Sequence, residues 1–533
     1  MFWSDTFDAT PASQPVSIPA PIGGLNARDS LAAMPSTDAP VMKNWWPQPY
    51  GVSVRRGYAQ WVTGIPAAVK SIASWESTSG GQKLFAWAGA NMYDVTTTGV
   101  VGAAVVAALA TDVWDSVNLV NSAGSFFIAL AGNGSDNGII YDGATYARLS
   151  AGDGIVLNTW AGIDPRDAKC PTVHQSRLWV LKRNSSVGYY LPPDAKQGTF
   201  VAFDFGPLFS RGGYAQLLCT WTLDDGNGAE DHLIVVSSRG EAAVFAGTNP
   251  NNDATWALVG VYFIGAPVSG SRCFTKAGGD VLIVTQQGVV SMTNTLASTK
   301  VNEAEQRVTS AKIQFLISEL TTSYGSLAGW DLDYFARFNM ILLNVPSVYS
   351  PNTQLAANQL TNAWTEFNGV AANCWTTFNS SPHFGGPDGI VYAFWTGYLD
   401  NVLVNGTGGT GVITSVMQAY SYLGETVSQK QVGMYRPAFI TNTAVALNSM
   451  IAYDFVTPEL TAPTAISGAA AGALWDSGVW DASKWGGGTY AQRTWYQAEG
   501  MGVAVAIRMS TASAGEVLWV ATDYNVLKGT GIL

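Results

Sequence analysis

The feature that most constrains the fold is a pair of short apolar hairpins, each turning at a glycine. The paired apolar runs are Leu233–Val236 with Ala243–Phe245, and Val281–Val284 with Val289–Met292. Short β-branched runs separated by glycine and polar turns predict buried strands of a hairpin. The turn glycines, at positions 240 and 288, are 48 residues apart. This is within the period of about 40–50 residues that is typical of one four-stranded blade in a β-propeller.

Similar units recur along the chain. They are Leu84–Val95, Phe126–Gly143, Arg177–Leu191, Asn339–Pro346 and Gly389–Val404. We therefore predict an all-β fold built on an irregular β-propeller of roughly five to seven blades. An extended N-terminal arm precedes it, and a β-sandwich or barrel-like region follows it.

Changes in composition along the sequence predict four segments. Residues 1–22 are rich in Pro, Ser, Thr and Ala without periodicity, which is typical of an extended arm that is disordered or lies along a neighbour. Residues 23–69 form an N-terminal docking segment, 70–405 the propeller, and 406–533 a C-terminal β domain, which begins at the glycine-rich stretch 406–411.

One stretch interrupts the β pattern. In Ser310–Thr321, the apolar residues Ile313, Leu316, Ile317 and Leu320 follow the i, i+3, i+4, i+7 spacing of a helix. The sequence predicts a helix there, with Ser310 as its N-cap.

The low content of charged residues limits the class of protein. Charged residues make up 12% of the 533 residues, against about 25% in typical soluble domains. A surface with so few charged residues predicts that much of it is buried against other subunits, in an oligomer or a particle. The net charge of −11 also lacks the basic face that is usual in proteins that bind duplex DNA.

The targeting and cysteine patterns indicate a chain that is made in a cytoplasm and does not insert in a membrane. The N-terminus lacks a basic region followed by an apolar run, so it is no signal peptide. The longest apolar run, Val100–Ala110, is too short for a transmembrane helix. The four cysteines lie far apart, which predicts buried free thiols.

Catalytic motifs are missing from the sequence. Cys170 and His174 form one C-x3-H pair without the second pair that a zinc site needs. There is no Gly-Lys-Ser/Thr loop, no H-E-x-x-H and no G-x-S-x-G. We therefore expect no enzyme activity, no cofactor and no metal.

Acidic turns in the sequence are the candidates for a carbohydrate or Ca²⁺ site. The densest one contains Asp224, Asp225, Asn227, Glu230 and Asp231, and is interpreted as a solvated turn or a weak Ca²⁺ loop. The turns 136–141 and 476–480 resemble the Asp boxes of sialidases, but both lack the Ser or Thr at their start. They are interpreted as β-turns.

The N-terminal region carries a resemblance to a known family. A Gly-Gly-Leu is followed by a proline turn, an Asn close to Pro and Gly, and an Arg-x-Gly; the residues are Gly23, Gly24, Leu25, Pro35, Asn44, Pro47, Gly51, Arg55, Arg56 and Gly57. This pattern resembles the opening of the tail nozzle proteins of short-tailed bacteriophages. These are also called tail tubular protein B and are related in function to packaged-DNA stabilisation proteins. Phe203–Gly265 and Leu360–Phe378 are similar to stretches of phage tail propellers, and the C-terminal tryptophan loop with its strands is similar to the end of nozzle proteins.

The resemblance implies a structural virion protein of the viral tail. Such a chain forms a hexameric ring below the portal and adaptor, as part of the head-tail connector. The ring is a conduit and gate that retains packaged DNA and passes it at DNA ejection, without sequence-specific binding. The other expected partners are tail fibres or tailspikes and the tail tip. The expected location is the virion tail, assembled in the host bacterial cytoplasm.

Several aromatic and basic residues are candidate interface residues. They are Trp45, Trp46, Arg55, Arg56, Trp475, Trp480 and Trp485. Aromatic residues dominate interface hot spots, and the two arginines suit DNA phosphates or an acidic partner. Core packing of the tryptophans and an ordinary surface position of the arginines stay open. The alternative function is a glycan-binding or glycan-cleaving propeller, a receptor-binding tail component with a pocket of Trp and carboxylates.

Overall fold

The computed structural model describes residues 13–152, 158–224, 229–297, 308–346, 353–464 and 488–528. Short strands dominate these residues, which confirms the prediction of an all-β fold. The first strands in chain order are β1 (Gln14–Pro19), β2 (Gly24–Leu25), β3 (Asp38–Ala39), β4 (Val41–Lys43), β5 (Trp45–Gln48), β6 (Gly51–Val54), β7 (Tyr58–Thr63), β8 (Val69–Glu76), β9 (Gln82–Ala88), β10 (Asn91–Asp94), β11 (Gly99–Val100), β12 (Asp115–Asn121), β13 (Gly124–Leu130), β14 (Ile139–Tyr141) and β15 (Tyr146–Arg148).

The middle of the chain continues the series. Its strands are β16 (Ser150–Ala151), β17 (Thr159–Ala161), β18 (Ala168–His174), β19 (Arg177–Lys182), β20 (Val187–Tyr190), β21 (Gly198–Thr199), β22 (Val201–Asp204), β23 (Ala215–Asp224), β24 (Ala229–Ser237), β25 (Glu241–Gly247), β26 (Trp256–Phe263), β27 (Phe274–Ala277), β28 (Asp280–Thr285), β29 (Gly288–Ser291), β30 (Asp331–Phe335) and β31 (Met340–Val345).

The last strands and the helices complete the set. The strands are β32 (Thr353–Asn358), β33 (Ala363–Phe367), β34 (Cys374–Phe378), β35 (Ser381–Gly385), β36 (Val391–Phe394), β37 (Leu399–Asp400), β38 (Thr410–Ile413), β39 (Ser415–Met417), β40 (Lys430–Thr441), β41 (Ala446–Tyr453), β42 (Tyr490–Gln492), β43 (Tyr496–Gln497), β44 (Val505–Ser513) and β45 (Val517–Lys528). The α-helices are α1 (Met292–Ala297) and α2 (Gln314–Tyr324), and the 3₁₀ helices are Gly206–Leu208, Ala311–Ile313 and Ala336–Phe338.

The chain divides into two compact units. Unit 1 contains Met1–Ala59, Ala356–Asn368 and Trp395–Leu533, and unit 2 contains Gln60–Leu355 and Gly369–Phe394. The boundaries differ from the four predicted segments because strands from residues 23–58 hydrogen-bond to strands from residues 406–528.

Unit 2 is the propeller. Seven successive sheets of its described residues make up the ring: β8–β10, β12–β15, β18–β20 with β22, β23–β26, β27–β29, the β30–β31 hairpin, and β34–β36 joined by β7 and β11. A small parallel sheet, β16-β17-β21, lies outside this series. The first strand of each sheet contacts the next sheet, and β34 contacts β8, so the series closes into a ring. The last sheet pairs β7, from the start of the unit, with β36, from its end. This pairing ties the two ends of the ring together.

The predicted hairpins hold equivalent places in this ring. The run around Gly240 forms the second and third strands of the fourth sheet, β24 and β25. The run around Gly288 forms the second and third strands of the fifth sheet, β28 and β29. The 48-residue spacing is therefore the step from one blade to the next.

Apolar layers between consecutive sheets hold the ring together. Phe85 and Trp87 of the first sheet pack against Phe127 and Tyr141 of the second. Between the third and fourth sheets, the rings of Trp179 and Trp256 stack with their centroids 6.0 Å apart. Aromatic side chains bury much apolar area each, so they supply the packing between blades of irregular length.

Unit 1 consists of two large sheets and the small parallel pair β2–β3. One sheet has the order β42-β40-β45-β6-β5, with β1 paired to β45 and β43 to β40. The other contains β33-β4-β39-β44-β38-β37, with β41 paired to β44. Part of the predicted N-terminal arm is therefore a strand, β1, that lies antiparallel to the C-terminal strand β45 of the same chain.

The predicted helix exists, but it begins later than expected. The segment 310–321 contains the 3₁₀ turn Ala311–Ile313 and continues as α2, Gln314–Tyr324. Ser310 is the N-cap residue of the 3₁₀ turn, as predicted, but its side chain makes no capping hydrogen bond. Its Oγ instead accepts a hydrogen bond from the Val289 N–H at 3.0 Å. The short helix α1 after β29 was not predicted. None of the helices in the described ranges is long and apolar enough to span a bilayer.

Candidate functional site

A cavity of about 180 Å³ lies inside unit 2, where the first strands of six of the seven sheets converge. Its walls come from β8, β12, β18, β27, β30 and β34 and from the turn before β27. The lining residues are Ile72, Trp114, Asp115, Ser116, Cys170, Pro171, Thr172, Ser271, Arg272, Phe274, Asp331, Leu332, Asp333 and Trp375. Three of these residues are carboxylates and three are aromatic, and three carboxylates in one cavity are unusual for a chain that is 12% charged.

Two of the carboxylates come from β30. Side chains two residues apart in a strand lie on the same face, so Asp331 and Asp333 both reach the cavity. Asp331 Oδ2 accepts a hydrogen bond from the Trp375 N–H at 3.0 Å and lies 3.5 Å from Arg272 Nη1. Asp333 Oδ2 is buried and has no hydrogen-bond partner.

The third carboxylate, Asp115, ties together loops of three sheets. Its Oδ1 accepts a hydrogen bond from the Ser271 hydroxyl at 2.5 Å, and its Oδ2 accepts one from the Cys170 N–H at 3.3 Å. Cys170 stands at a register shift between Lys169 and Thr172 and has a φ of 50°. This β-bulge turns the Cys170 N–H towards Asp115.

The cavity is short of positive charge. Arg272 is the only Lys or Arg among the described lining residues, against three carboxylates. Burial raises the pKa of Asp331 to about 6, although the Arg272 guanidinium opposes the shift. Burial, reinforced by the neighbouring Asp331 charge, holds the pKa of Asp333 well above its usual range. Ionising both carboxylates in the empty cavity is therefore unfavourable.

The aromatic walls present ring surface and no free donor. The Trp114 indole N–H donates to the Thr111 carbonyl at 2.9 Å. The Trp375 indole N–H donates to Asn344 Oδ1 at 3.3 Å. Burial raises the pKa of the Cys170 thiol to about 12, so this thiol does not act as a nucleophile near neutral pH. The arrangement suits binding by acceptor oxygens and aromatic faces.

The predicted interface residues of the N-terminal region lie in unit 1. Trp45 and Trp46 are buried in β5, with Trp45 packed against Trp519 at 5.9 Å and Trp46 against Trp395 at 5.6 Å between ring centroids. Both indoles therefore belong to the core of this unit. Their assignment to an interface stays a prediction.

Arg55 is the centre of a buried polar network in unit 1. Its guanidinium is fully buried and donates to both carboxylate oxygens of Asp400, at 2.7 and 2.6 Å. It also donates to Asn44 Oδ1 at 2.8 Å and to the carbonyls of Arg56 and Asn368 at 3.0 and 2.9 Å. All five N–H donors of the guanidinium are thus used.

Two glycines of the same motif are required by close backbone approaches. A Cβ at Gly57 would lie 1.8 Å from the carbonyl oxygen of Leu399. A Cβ at Gly24, where φ is 80°, would lie 2.6 Å from the carbonyl oxygen of Trp364. The residues that carry the phage resemblance therefore join the N-terminal segment to two distant segments of unit 1.

The other predicted site residues take varied positions. Arg56 is exposed and lies over the Tyr398 ring, 5.1 Å from its centroid. Trp475, Trp480 and Trp485 lie outside the described residues, as does the predicted turn 476–480. Residues 225–228 of the acidic loop are also outside the described residues.

The isolated histidines and cysteines also hold structural positions. The Leu218 N–H donates to Cys170 Sγ, and His174 Nδ1 is hydrogen-bonded to Thr220 Oγ1 at 2.8 Å. In the described residues, no three or more His, Cys, Asp or Glu side chains are placed to hold a metal ion. All four cysteines are buried free thiols, as predicted. Asp136, in the turn 136–141, accepts hydrogen bonds from the N–H groups of Ala110 and Thr111.

Comparison with known proteins gives a fold likeness and no family. No family model matches the chain, and no curated protein matches it. One similar solved structure is the β-propeller domain of Cps50 (Swd1) from Myceliophteria thermophila, with a TM-score of 0.37 and 9% identity over 64% of this chain and 98% of that one. Another is the computationally designed Ika8 protein, with a TM-score of 0.33 and 9% identity over 66% and 96%.

A third similar structure is BBS1N, solved in complex with ARL6DN and soaked with lead. Its TM-score is 0.28, with 12% identity over 45% of this chain and 74% of that one. The class of this protein, an all-β protein with a propeller unit, follows from the closed series of sheets in unit 2.

Apart from Cys170, the cavity residues were not singled out from the sequence. The available signal was the segment Trp330–Phe335, where Asp331 and Asp333 alternate with apolar residues in a short strand. Two carboxylates on one face of a strand, among apolar neighbours, point to a buried polar site. Arg272, 59 residues earlier, is the partner that only the fold supplies.

Proposed function

We propose that this chain is a structural subunit of the tail of a short-tailed bacteriophage, and that it forms the nozzle ring below the portal and adaptor. The observation that carries the proposal is the Arg55 network, in which residues of the resembling motif contact each other. Asn44 accepts from Arg55, and Gly57 lies against Leu399 beside Asp400. These residue types suit this packing, which supports a resemblance in architecture.

The surface of unit 2 is consistent with a subunit of an assembly. β26 is the last strand of its sheet, and it carries no charged residue. Its Leu258, Val259, Val261 and Phe263 are 38–45% exposed. Edge strands of monomeric proteins are usually protected by charges or proline, so an uncharged apolar edge favours contact with another subunit.

In this proposal the chain acts as a conduit and gate, and it carries out no catalysis. The expected assembly is a hexamer, with tail fibres or tailspikes and the tail tip as further partners. Genomic DNA passes through the lumen without sequence-specific contacts. The net charge of −11 suits a lumen that does not hold phosphates, because basic contacts would add up along the DNA and slow its exit.

Electron microscopy of the purified chain, alone and mixed with a portal–adaptor complex, tests the proposal. A sixfold ring with a central hole, formed alone or only on the adaptor, supports it. Compact single particles that ignore the adaptor contradict it.

A matched pair of variants tests the proposed subunit contact. We expect Val259→Lys, on β26, to reduce ring formation. Val100→Lys, at a position that is 84% exposed on β11, should leave rings intact. Equal ring formation by both variants would exclude β26 from the interface.

The second candidate function is a glycan-binding or glycan-cleaving propeller, and the cavity of unit 2 favours it. Indole rings and carboxylates are the groups that sugar sites commonly combine, and two carboxylates are the minimum for glycoside hydrolysis. A glycan array tests this alternative. Saturable binding to a defined glycan, lost in a cavity variant such as Asp331→Asn, would favour it over the nozzle.

A further inference from the structure

We propose that the cavity of unit 2 is a binding site for a small organic ammonium ion. Three carboxylates and three aromatic rings line it together with one guanidinium, and one buried carboxylate oxygen, Asp333 Oδ2, has no partner. The inference is independent of the tail function and concerns a ligand that nothing in the tail role requires.

The first step of the argument concerns the guanidinium. Arg272 Nη1 lies 3.5 Å from Asp331 Oδ2, and Arg272 Nη2 donates to the Lys70 carbonyl at 3.2 Å. Arg272 therefore balances at most one carboxylate. Asp115 receives two neutral donors, from Ser271 and Cys170, and it also interacts electrostatically with the Lys169 ammonium. That leaves Asp333, whose buried Oδ2 has no partner. A buried polar group without a partner is costly, so a ligand that donates to this oxygen and carries one positive charge is the complement of the empty cavity.

The second step compares an ammonium ion with the neutral sugar of the alternative function, and it ranks the ammonium ion first. A sugar hydroxyl both donates and accepts hydrogen bonds, so a sugar site needs free donors as well as acceptors. Four side-chain donors of the cavity are already used: Ser271 by Asp115, Thr172 by the Leu218 carbonyl at 2.8 Å, and the two indoles. Ser116 and Arg272 are the other lining side chains that can donate. An ammonium group donates only, and its charge matches the three carboxylates, which a neutral sugar would not do.

The third step separates an organic cation from a metal ion. Nowhere among the residues of the described ranges do three ligating side chains converge on a metal position. The rings of Trp114, Phe274 and Trp375 line the same cavity. Aromatic faces attract organic cations and shield an alkyl chain from water. A cavity of about 150 Å³ admits benzene in another protein, so about 180 Å³ accommodates an amine of about four carbons.

The raised pKa values agree with this geometry. Burial and the Asp331 charge keep Asp333 protonated in the empty site, and a bound cation would favour its ionised form. Binding should therefore release a proton. The titratable and charged groups around the cavity are Lys169, Cys170, Arg272, Cys273, Cys374, Asp115, Asp331 and Asp333.

Isothermal titration calorimetry of the full chain with n-butylammonium chloride at fixed ionic strength tests the proposal. We expect saturable binding with one site per chain. n-Butanol, which has the same shape without the charge, should bind at least roughly tenfold more weakly. Equal binding of the two probes, or no saturable binding of the amine, would overturn the proposal.

A matched pair of variants locates the site. Asp333→Asn keeps the shape of the side chain and removes its charge, and should weaken n-butylammonium binding roughly ten- to hundredfold. Asp253→Asn removes one charge from an exposed turn and should bind as the wild type does. Thermal unfolding of both variants shows whether they are folded. A folded Asp333→Asn protein with wild-type affinity would place the amine elsewhere and refute the assignment.

Proton release on binding distinguishes direct contact of the aspartates with the amine from a merely structural role of these residues. Titrations in buffers with different ionisation enthalpies should show release of up to one proton on binding, and the affinity should fall as the pH is lowered through about 6, where Asp331 becomes protonated. Binding without proton release, and with the same affinity at about pH 5 and 8, would mean that neither aspartate takes part.

Discussion

Asp400→Asn is the sharpest test of the Arg55 network, because it changes one atom and leaves the side-chain shape intact. The wild-type carboxylate accepts two hydrogen bonds from a guanidinium that is fully buried. In the variant, one of the two acceptors becomes an NH₂ group that faces an Arg55 N–H. A buried charge then remains without its counterion.

The expected cost follows from these contacts. Hydrogen bonds to charged groups contribute about 1.5–3 kcal/mol each, and removing one partner of a buried ion pair costs about 3–5 kcal/mol. Asp400 is itself 14% exposed, so water compensates part of the loss. We therefore expect the free energy of unfolding of unit 1 to fall by about 3 kcal/mol.

The measurement is denaturant unfolding followed by tryptophan fluorescence, since Trp46 and Trp395 are packed together in unit 1. Two units need not unfold together, so the transition is fitted for each phase. Asp523→Asn is the matched control, because its partner Arg436 lies at the same 2.7 Å but both side chains are about a quarter exposed. Its expected cost is about 0–1 kcal/mol. Equal effects of the two substitutions would refute the argument that burial decides the cost.

Three further predictions concern other features of the fold. Gly57→Ala should destabilise unit 1 by about 2 kcal/mol or more, because its Cβ would meet the Leu399 carbonyl, whereas Gly433→Ala, with open space around it, should be nearly neutral in the same unfolding assay. Burial lowers the pKa of His383 to about 4, below an unfolded value of about 6.5, so its contribution to stability is complete above about pH 6.5 and falls towards pH 4. His383→Gln should therefore reduce the loss of stability between about pH 6.5 and 5. An unchanged pH profile of stability would contradict this. The four buried thiols should react with a thiol reagent only after unfolding, and a stoichiometric reaction of the native protein would contradict their burial.

Asp331 titrates over the same pH range as His383 and has the opposite effect on stability. Burial raises the pKa of Asp331 to about 6, above the unfolded value of about 3.9. Its contribution to stability is therefore complete below about pH 3.9 and is lost as the pH rises through 6. His383 acts in the opposite direction over an overlapping range, so the two contributions partly cancel in the wild type. Comparison of His383→Gln with the wild type isolates the histidine.

The blades were predictable because their signal is local. The hairpins around Gly240 and Gly288 combine β-branched runs with a turn glycine, and both form antiparallel pairs with the expected strands. The same hairpin pattern marks the second and third strands of the first three sheets. The first strand of each sheet was harder to identify, since strands such as β12 and β30 mix polar and apolar residues where they meet the cavity.

Unit 1 was less predictable because its sheets are assembled from distant parts of the chain. β6 pairs with β45, and β4 pairs with both β39 and β33. No local pattern indicates a partner more than 300 residues away. The same limit applies to Arg55, whose position before a turn was visible in the sequence while its partner Asp400 was not.

The Arg55 network of unit 1 and the cavity of unit 2 differ in whether their polar groups find all their partners within the chain, and this difference decides how each is interpreted. In unit 1, every donor of Arg55 has an acceptor, and its charge is balanced by Asp400. A network that is complete within the chain needs no ligand, so its role is to hold three segments together. In unit 2, Arg272 balances at most one of three carboxylates, and Asp333 Oδ2 is left without a partner. Native structures rarely leave such a group buried, and this incompleteness is the reason for assigning a ligand to the cavity and a structural role to the Arg55 network.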